Sequence, residues 1–580
     1  MGMRLRLLMM AVVACSPVGP PQPAVLAESA SAQATVAGPK ADLVVLNAEI
    51  YTVDAARSWA EALAVRDGRL AYVGSRVEAE RWIRPDTHVV DAGGRLILPG
   101  FHDTHTHLTH AAAAADWCDL AYPRTLEETK EALAVCVSSS ANRSWVLAFD
   151  ANDAVFPLEG PPAGFLDTFA ADRPMLVRQA DGHEVYVNRV VLELSGIGLD
   201  TPNPDDGIVR DTEGRLTGTI RGAALPLVYR HLPRPGGEEL VARIGEQLAT
   251  LASHGIVSVQ EITNRVDELA AAVARTPEPA PRVRVAQTVM NYAERGTVPA
   301  ERIGTAAKLA RERRSHRFDA DAVKLFVDGT LGAQTAALSG PYLESEQTGW
   351  QGEPYFTQDE LIDWVVQADE VGLQLHFHAI GDHAVHMVLN AIEQAQRVNG
   401  RLDARHQISH LHLTATDDLP RFRQLGVIAN VQPFFADNGP YNTDRLSQVL
   451  GAERTALMHR FPDFLNSGAR LVVSTDYPIS PLDPWTTIQV ALTRREVESD
   501  APAFFPEHRL TLPDVIAAYT IGGAYANFLD TESGSLEVGK WADFVMLDRH
   551  LFSQDPGEIN RTRVLWTVIE GREAFRSEQW

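Results

Sequence analysis

Short apolar strands alternate with helical stretches through the middle of the chain, and no other feature constrains its fold as strongly. After the apolar run RLILPGF (95–101), the strand candidates are SWVLAFD (144–150), PMLVRQA (174–180), IVSVQEI (256–262), RVRVAQTVM (282–290), AVKLFVD (322–328), LQLHFHA (373–379), HQISHLH (406–412), VIANVQP (427–433) and RLVVSTD (470–476). The helix candidates include 237–254, 358–370, 382–398 and 512–527. This α/β alternation favours a parallel sheet covered by helices, and at this length we expect closure into a barrel of the TIM type. Because the candidates outnumber the strands of such a barrel, residues 145–240 are expected to form an insertion after the first barrel strand.

Two further groups of short strands lie at opposite ends of the chain. One group covers residues 42–98, where Asp67-Gly68 and Gly93-Gly94 mark turns. Similar segments return only in GSLEVGKWADFVMLDR (534–549) and RVLWTVIEGREAF (563–575). We therefore predict that residues 41–98 and 533–580 assemble one β-sandwich, which flanks a barrel domain formed by residues 99–532.

The first residues have the pattern of an export signal. Arg4 and Arg6 precede the run LLMMAVVA, which is too short to span a bilayer, and a small residue, Ala14, comes directly before Cys15. The tetrapeptide VVAC resembles a bacterial lipobox, so we expect a lipoprotein signal peptide at 1–15 and a lipid anchor on Cys15. An ordinary signal peptide cut later, after Ala34, is the alternative. Residues 16–40 are rich in Pro, Ala and Ser and are interpreted as a flexible linker. The signal and the lipid anchor together predict an exported protein that is held on the membrane in the periplasm.

Cysteine content and charge limit the remaining classes of function. Of three cysteines, Cys118 and Cys136 remain after the signal peptide, and they form either a disulfide or two unpaired buried thiols. The formal net charge of −24 argues against a nucleic-acid partner, because phosphate binding needs clustered Lys and Arg. It also gives a mild bias against anionic substrates.

The stretch PGFHDTHTHL carries the first candidate site residues, His105 and His107. Residues two apart on a strand point to the same side, so both imidazoles are directed at one point at the carboxyl end of a strand. Imidazole is a common ligand of zinc and similar ions. A His-rich surface turn is the alternative for this motif alone.

Later strands end in residues that could complete such a site. AVKLFVD carries Lys324 inside an apolar strand, LQLHFHA carries His376 and His378, HQISHLH carries His410 and His412, and RLVVSTD ends in Asp476. Taken singly, Lys324 could belong to a buried ion pair and Asp476 could form a turn. The ordered set at the ends of several strands favours a metal site, because chemistry in such barrels lies at the carboxyl ends of the strands.

Together these motifs resemble the amidohydrolase superfamily. The resemblance rests on PGFHDTHTHL, AVKLFVDGTLGAQTA, LQLHFHAIGD, QISHLH, VVSTDYP and ESGSLEVGKWADFVMLD, and it spans residues 42–575. It is strongest for the branch that includes N-substituted formamide deformylase and related extracytoplasmic amidohydrolases. It implies a distorted (β/α)8 barrel with a flanking β-sandwich, and one or two divalent metal ions, usually Zn2+.

The resemblance also implies roles for individual residues. His105 and His107 would bind the first metal with Asp476, while His378 and His410 would bind the second. Lys324, as N6-carboxylysine, would bridge the two. His378 is preferred to His376 because it directly precedes the AIGD turn, whereas the choice between His410 and His412 stays open.

Further residues are expected near the substrate by the same resemblance. His183, in QADGHEVYVN, matches a family histidine there, and Asn188 and Asp328 are assigned to the same pocket. Gln334 stands where relatives often carry Arg, and Arg221 stands where Glu is common. Since both positions are expected to face the pocket, the substrate class is left open.

The implied reaction is hydrolysis of an amide-type C–N bond in a small molecule, such as an N-acyl or N-formyl amine, by a metal-activated hydroxide. Asp476 would accept the proton of the water and pass it to the leaving nitrogen. Deamination of a cyclic amidine uses the same groups and is the alternative reaction. A catalytically silent lipid-anchored binding protein would be expected to lose ligands, and a surface metal scavenger would expose its histidines; neither pattern is seen here. The sequence leaves open the oligomeric state, for which a homo-oligomer is one expectation.

Overall fold

The computed structural model describes residues 39–580 except 121–122, 124, 153–154, 158, 180–181, 205–206, 234, 291–297, 344–348 and 402. The predicted signal peptide, Cys15 and nearly all of the predicted linker lie outside these residues. Among the helices described, none is both long enough and apolar enough to cross a bilayer.

Eight parallel strands form the central sheet of the described chain. Labelled β1 to β8 in chain order, they are Phe101–Thr106, Ile256–Thr263, Arg282–Thr288, Phe318–Phe326, Gln374–Ala379, Gln407–His410, Ile428–Val431 and Arg470–Val473. Each strand pairs with the next one, with register shifts between β1 and β2 and between β3 and β4. All eight residues of β2 are buried, as expected for a strand with helices on one side and the barrel interior on the other.

The sheet nearly closes where the ends of β1 and β8 meet. The Asp476 N–H donates to the His105 carbonyl at 2.8 Å, and the His107 N–H donates to the Tyr477 carbonyl at 2.7 Å. The prediction of a distorted TIM-like barrel is therefore confirmed, and its closure lies beside the first candidate metal ligands.

Helices cover the outside of this barrel. They are Leu108–Ala113, Gly237–Leu251, Val266–Arg275, Glu301–Glu312, Gln358–Glu370, Asp382–Asn399, Leu419–Leu425, Ser447–Leu450, Ala452–Thr455, Phe461–Asn466, Pro484–Thr493, Leu512–Ala517 and Gly523–Ala526, with π-helical turns at Tyr441–Leu446 and Ala518–Gly522. The helix Gln358–Glu370 shows why these segments are helical: Thr357 and Glu360 form a capping box at its start. Its buried residues, Leu361, Trp364, Val365 and Ala368, recur at the helical period and face the barrel core.

A second sheet is inserted between β1 and β2. In spatial order its strands are Ile208–Arg210, Leu216–Arg221, Glu184–Val187, Met175–Gln179, Val146–Ala151 and Cys118–Asp119, with helices at Leu126–Ser139, Arg189–Ser195 and Leu225–Tyr229. The sheet starts earlier than residue 145, because Cys118–Asp119 adds to its edge in parallel with Val146–Ala151. The helix Gly237–Leu251 packs with the barrel instead, against Leu108–Ala113 and Val266–Arg275.

The two chain ends combine in a β-sandwich, as predicted. One sheet has the order Arg69–Gly74, Ala62–Arg66, Leu43–Leu46 and His88–Asp91; the other has Arg572–Arg576, Val564–Ile569, Phe544–Leu547, Leu96–Pro99, Glu49–Tyr51 and Trp59–Ala60. A short helix, Arg76–Ala79, follows the hairpin of Ala62–Arg66 and Arg69–Gly74 in the first sheet. The shared core joins Leu63 and Val65 from the first part of the chain to Phe544 and Trp566 from the last.

Cys118 and Cys136 form a disulfide with their Cα atoms 5.8 Å apart. It ties the edge strand of the inserted sheet to the helix Leu126–Ser139. Of the two alternatives that the sequence leaves open, the disulfide is confirmed.

Candidate metal centre and substrate cavity

The carboxyl ends of β1 and β8 bring three candidate ligands together. Asp476 Oδ1 lies 3.3 Å from His105 Nε2 and 3.1 Å from His107 Nε2. Asp476 follows β8 with a φ of 65°, a left-handed conformation that costs a residue other than glycine about 1–3 kcal/mol. Such strain is retained where the surrounding structure fixes it, and here it places the carboxylate against the two rings.

His107 is oriented by a backbone carbonyl and by a buried carboxylate. Its Nδ1 lies 3.3 Å from the Ile262 carbonyl, which can only accept a hydrogen bond, so this contact requires a proton on Nδ1. The Glu261 carboxylate accepts from the backbone N–H groups of Leu108 and Thr109 at 2.7 and 2.9 Å. Burial raises the pKa of Glu261, although these donors oppose the shift. The contacts fix the backbone directly after His107.

Asp103 fixes the junction between β1 and β8. Its carboxylate accepts from the Thr475 hydroxyl at 2.6 Å, the Thr475 N–H at 3.2 Å and the His105 N–H at 3.3 Å. Burial raises the pKa of Asp103 to about 6. The residue therefore connects the backbone of one candidate ligand, His105, to the residue that precedes another, Asp476.

Lys324 of β4 points into the barrel toward this group. Its Nζ lies 3.3 Å from His105 Nε2, and its side chain is 1% exposed. Burial lowers the pKa of the Lys324 amine to about 7, while the nearby Asp476 carboxylate opposes the shift. A substantial fraction of the amine is therefore neutral near physiological pH.

His378 and His410 form a second group beside the first. Their ring centroids are 4.5 Å apart, and the His410 ring is 5.0 Å from that of His105. His378 Nε2 lies 3.2 Å from the Gly329 carbonyl, which leaves its Nδ1 as the ring nitrogen able to bind a metal. Burial lowers the pKa of both rings well below the ordinary value, which favours their neutral forms.

The structure separates the paired histidines that the sequence presents as alternatives. His376 lies under His105, with Nε2 3.1 Å from His105 Nδ1, whereas His378 lines the cavity described below. His412 also lines that cavity, but its ring packs 4.5 Å from the His459 ring and 6.3 Å from His410. These positions support His378 and His410 as members of the candidate ligand set.

The residues at the first group fit a divalent cation. One nitrogen of His105, one of His107 and one carboxylate oxygen of Asp476 all lie within 4.8 Å of one another. Asp476 Oδ1 is buried and has no hydrogen-bond partner in the described part of the chain. Acceptor atoms that face one another repel unless a cation lies between them. Two imidazoles and a carboxylate are the donor set of many zinc sites.

A cavity of about 310 Å³ opens beside these residues at the carboxyl ends of the strands. Its inner end is formed by His183, His378, His410 and Asp476, and its outer walls are formed in part by Asp150, Phe434, Phe435, Asp437, Tyr441, Ile479 and Glu496. Among the described lining residues there is no lysine or arginine. Burial raises the pKa of Asp150 to about 7, which Arg178 opposes. The walls therefore combine aromatic surface with carboxyl groups.

Of the residues expected near the substrate, His183 is the one that lines this cavity, with its ring 5.3 Å from that of His378. Asn188 instead caps the helix Arg189–Ser195: its Oδ1 accepts from the Val191 and Met175 N–H groups. Its Nδ2 donates to the carbonyls of Ala170 and Arg173. These contacts occupy its amide, so the structure gives Asn188 a structural position in place of a substrate contact.

Arg221, Asp328 and Gln334 also lie outside the cavity lining. Arg221 forms an ion pair with Glu184 on the neighbouring strand, with Nε and Oε2 2.9 Å apart. Asp328 accepts from the backbone N–H groups of Ala337, Ile380 and Gly381, which fixes the turn after His378. Gln334 adopts a left-handed φ of 55°, and its carbonyl accepts from the Trp350 indole N–H. Their contacts position loops and strands around the site.

Sequence reasoning missed Asp103 and Glu261, which hold the ligand backbone. Glu261 was detectable as an acidic residue inside the strand candidate IVSVQEI, and Asp103 as an acidic residue two positions before His105. A carboxylate buried in either strand is costly without partners. The aromatic wall, Phe434 and Phe435, gives no signal of its own in the sequence, because two adjacent phenylalanines are equally typical of a core.

Comparisons with known proteins show which proteins this chain is similar to. A sequence profile described as the amidohydrolase family matches residues 88–575. The chain is 28% identical over 548 residues to N-substituted formamide deformylase of Arthrobacter pascens, covering 91% of this chain and 97% of that protein. It is 27% identical over 560 residues to Protein LONG AFTER FAR-RED 3 of Arabidopsis thaliana, covering 93% and 92%. An uncharacterized metal-dependent hydrolase from Pyrococcus horikoshii OT3 has a similar structure, with a TM-score of 0.68 and 25% identity over 89% of this chain and 99% of that one.

Proposed function

Because the chain belongs to the amidohydrolase family, whose members include metal-dependent hydrolases, we propose that it hydrolyses an amide-type C–N bond in a neutral or cationic N-acyl or N-formyl amine. The observation that carries this proposal is the convergence of His105, His107 and Asp476, the last of which borders the cavity. The relative named N-substituted formamide deformylase supports the bond type.

The ligand groups divide between two ions. His105, His107 and Asp476 would hold the first ion, and His378 and His410 would hold the second. When bound, a divalent ion lowers the pKa of water toward neutrality and polarises a carbonyl group. Zn2+ fits the nitrogen and oxygen donors.

Asp476 has the position of the proton carrier. Its carboxylate borders the cavity, so it can accept a proton from the attacking water and return it to the leaving nitrogen. His183, on the inserted sheet, faces the same end of the cavity and can donate a hydrogen bond to the substrate. Burial of these groups strengthens their electrostatic interactions.

We propose that Lys324 is carboxylated and bridges the two ligand groups. The neutral amine attacks carbon dioxide, an N–C bond forms, and one amine proton leaves, which yields a carbamate anion. Burial next to His105 supports the reaction, because it favours the neutral amine. An unmodified lysine cation, in contrast, would lie against the metals and repel them. The carbamate would instead supply an anionic oxygen to each ion.

The cavity walls favour particular substrates. Asp437 and Glu496 contribute carboxylates to the described lining, while Phe434 and Phe435 offer an apolar surface. An amide with an aromatic or alkyl amine part fits this lining, and a positive charge on that part improves the fit. Anionic amides are disfavoured.

A matched set of formamides tests both parts of the proposal. Metal content is measured on the purified protein, and amine release is then followed at pH 8 for N-benzylformamide and its para-aminomethyl and para-carboxy derivatives. We expect bound metal, and turnover in the order aminomethyl, unsubstituted, carboxy. Metal-loaded protein that hydrolyses no N-formyl or N-acyl amine would refute the reaction, and preference for the carboxy derivative would refute the substrate class.

We also propose that the protein is exported and anchored to the membrane through acylated Cys15, as the lipobox-like VVAC suggests. The full-length chain should partition into detergent, and Cys15→Ser should abolish both acylation and partitioning. A mature chain that begins well downstream of Cys15 would contradict the anchor.

A further inference from the structure

A series of buried hydrogen bonds leads from the backbone of the barrel to the ring of His105. It begins at Gln374, whose Nε2 donates to the carbonyls of Arg405 and Ala526 at 2.8 and 2.9 Å. Carbonyl oxygens only accept hydrogen bonds, so they fix which end of the Gln374 amide is the nitrogen. Its Oε1 must therefore be the atom that faces Gln260.

The same logic fixes Gln260 and then His376. Gln260 Nε2 donates to Gln374 Oε1 at 2.9 Å, which makes Gln260 Oε1 an acceptor. That oxygen receives a hydrogen bond from Gln407 Nε2 at 2.6 Å and lies 3.1 Å from His376 Nδ1. An acceptor at this distance requires a proton on His376 Nδ1.

The proton on His376 in turn determines the tautomer of His105. His376 is fully buried, and a neutral ring with its proton on Nδ1 offers Nε2 as an acceptor. This nitrogen lies 2.5 Å from Ser409 Oγ and 3.1 Å from His105 Nδ1, and Ser409 Oγ lies 3.0 Å from His105 Nδ1. Ser409 supplies only one hydroxyl proton to these contacts. The hydrogen bonds of His105 Nδ1 with Ser409 and His376 therefore form only if His105 Nδ1 carries a proton. The lone pair of His105 Nε2 then faces Lys324 and Asp476.

We propose that His376, oriented by Gln260, is a positioning residue that sets the tautomer of His105 and so prepares its Nε2 to bind metal. The proposal rests on the metal site of the proposed function. A ring with its proton on Nε2 could not ligate through that atom, and ligands are held in place by partners on their other nitrogen. His107 has the equivalent partner in the Ile262 carbonyl.

Zinc affinity of the metal-stripped full chain, measured by competition with a chromophoric chelator, tests this role without depending on turnover. His376→Leu keeps the volume but removes the acceptor, and we expect a loss of about 10- to 100-fold in affinity. His376→Gln can present its Oε1 near the former Nε2 and should keep most of the affinity. His102→Leu is the matched control, because it removes another buried histidine from the opposite end of β1.

The outcomes separate positioning from packing. Equal losses in His376→Leu and His376→Gln, or a wild-type affinity in His376→Leu, would overturn the proposal. Should His376→Leu fail to fold, Gln260→Met removes the acceptor for Nδ1 with His376 in place, and it too should bind zinc more weakly; unchanged affinity there would overturn the proposal as well. Wild-type protein that binds no zinc would refute the proposed metal site itself, whereas zinc-binding protein with unaffected variants refutes only the role of His376.

Discussion

Substitution of Asp476 by Asn tests the centre of the site most directly. In the wild-type protein without metal, Asp476 Oδ1 faces the acceptor nitrogens of His105 and His107 at 3.3 and 3.1 Å when the rings are neutral. An Asn amide can place its NH2 group there and donate to one ring, which contributes about 0.5–1.5 kcal/mol to the metal-free fold. We therefore expect apo Asp476→Asn to be as stable as the wild type, or slightly more stable.

Metal binding and catalysis should change in the opposite direction. The amide lacks the negative charge that attracts the ion, and it donates hydrogen bonds where a ligand must accept. It also cannot shuttle a proton, a function worth about 10²–10⁴-fold in rate, or about 3–5 kcal/mol in the activation barrier. Weakened metal binding adds to this loss, so the total should exceed the loss from proton transfer alone.

Three measurements on Asp476→Asn check the reasoning: unfolding of the apo protein in urea, zinc affinity by chelator competition, and amine release at pH 8. Asp363→Asn, on the exposed face of the helix Gln358–Glu370, is the matched control and should match the wild type in all three. Wild-type zinc affinity and turnover in Asp476→Asn would remove Asp476 from the site. A large loss of apo stability would show that its carboxylate serves the fold.

Three further predictions concern other parts of the chain. Lys324→Ala should lose metal and activity, and short carboxylic acids should restore both in part, since they can replace the carbamate. Metal content and amine release, with and without acetate, measure this effect. Full activity of a wild-type protein with an unmodified lysine would contradict the prediction. Reduction of the disulfide, or Ser at both Cys118 and Cys136, should destabilise the protein by about 3 kcal/mol for a sequence separation of 18, as read from urea unfolding, and equal stability of oxidised and reduced protein would contradict this. Burial raises the pKa of Asp543, but its ion pair with Arg282 and its hydrogen bonds lower the pKa by more. The net pKa of Asp543 therefore lies below the ordinary value. Such a carboxyl stabilises the fold above its unfolded pKa of about 3.9, and the contribution is lost as the pH falls through the lower folded pKa. Asp543→Asn should therefore flatten the acid limb of the stability curve below about pH 4, and an unchanged limb would exclude this pair as a source of acid sensitivity.

The sequence determined the architecture and the inner face of the site. Strand and helix periods are local properties, so the alternation of apolar strands with helices was enough to predict the barrel. It also predicted that the site lies at the carboxyl ends of the barrel strands. The spacing of His105 and His107 placed both rings on one side of a strand for the same reason. The net charge agreed with a cavity whose described walls carry no lysine or arginine.

Only the tertiary structure decided how deep each side chain lies and which distant partners it meets. His376 and His378 share a face of β5, but His376 lies under His105 and His378 reaches the cavity. The alternation of side chains along a strand determines which face a residue is on, and it does not determine how deep in the barrel that residue lies. Cys118 could have been a free thiol until its distance to Cys136 was known. Asn188 caps its helix through a local contact, since its Oδ1 accepts from the Val191 N–H three residues later. Its Nδ2 donates to the Ala170 and Arg173 carbonyls, and these partners are set by packing, which no local pattern encodes.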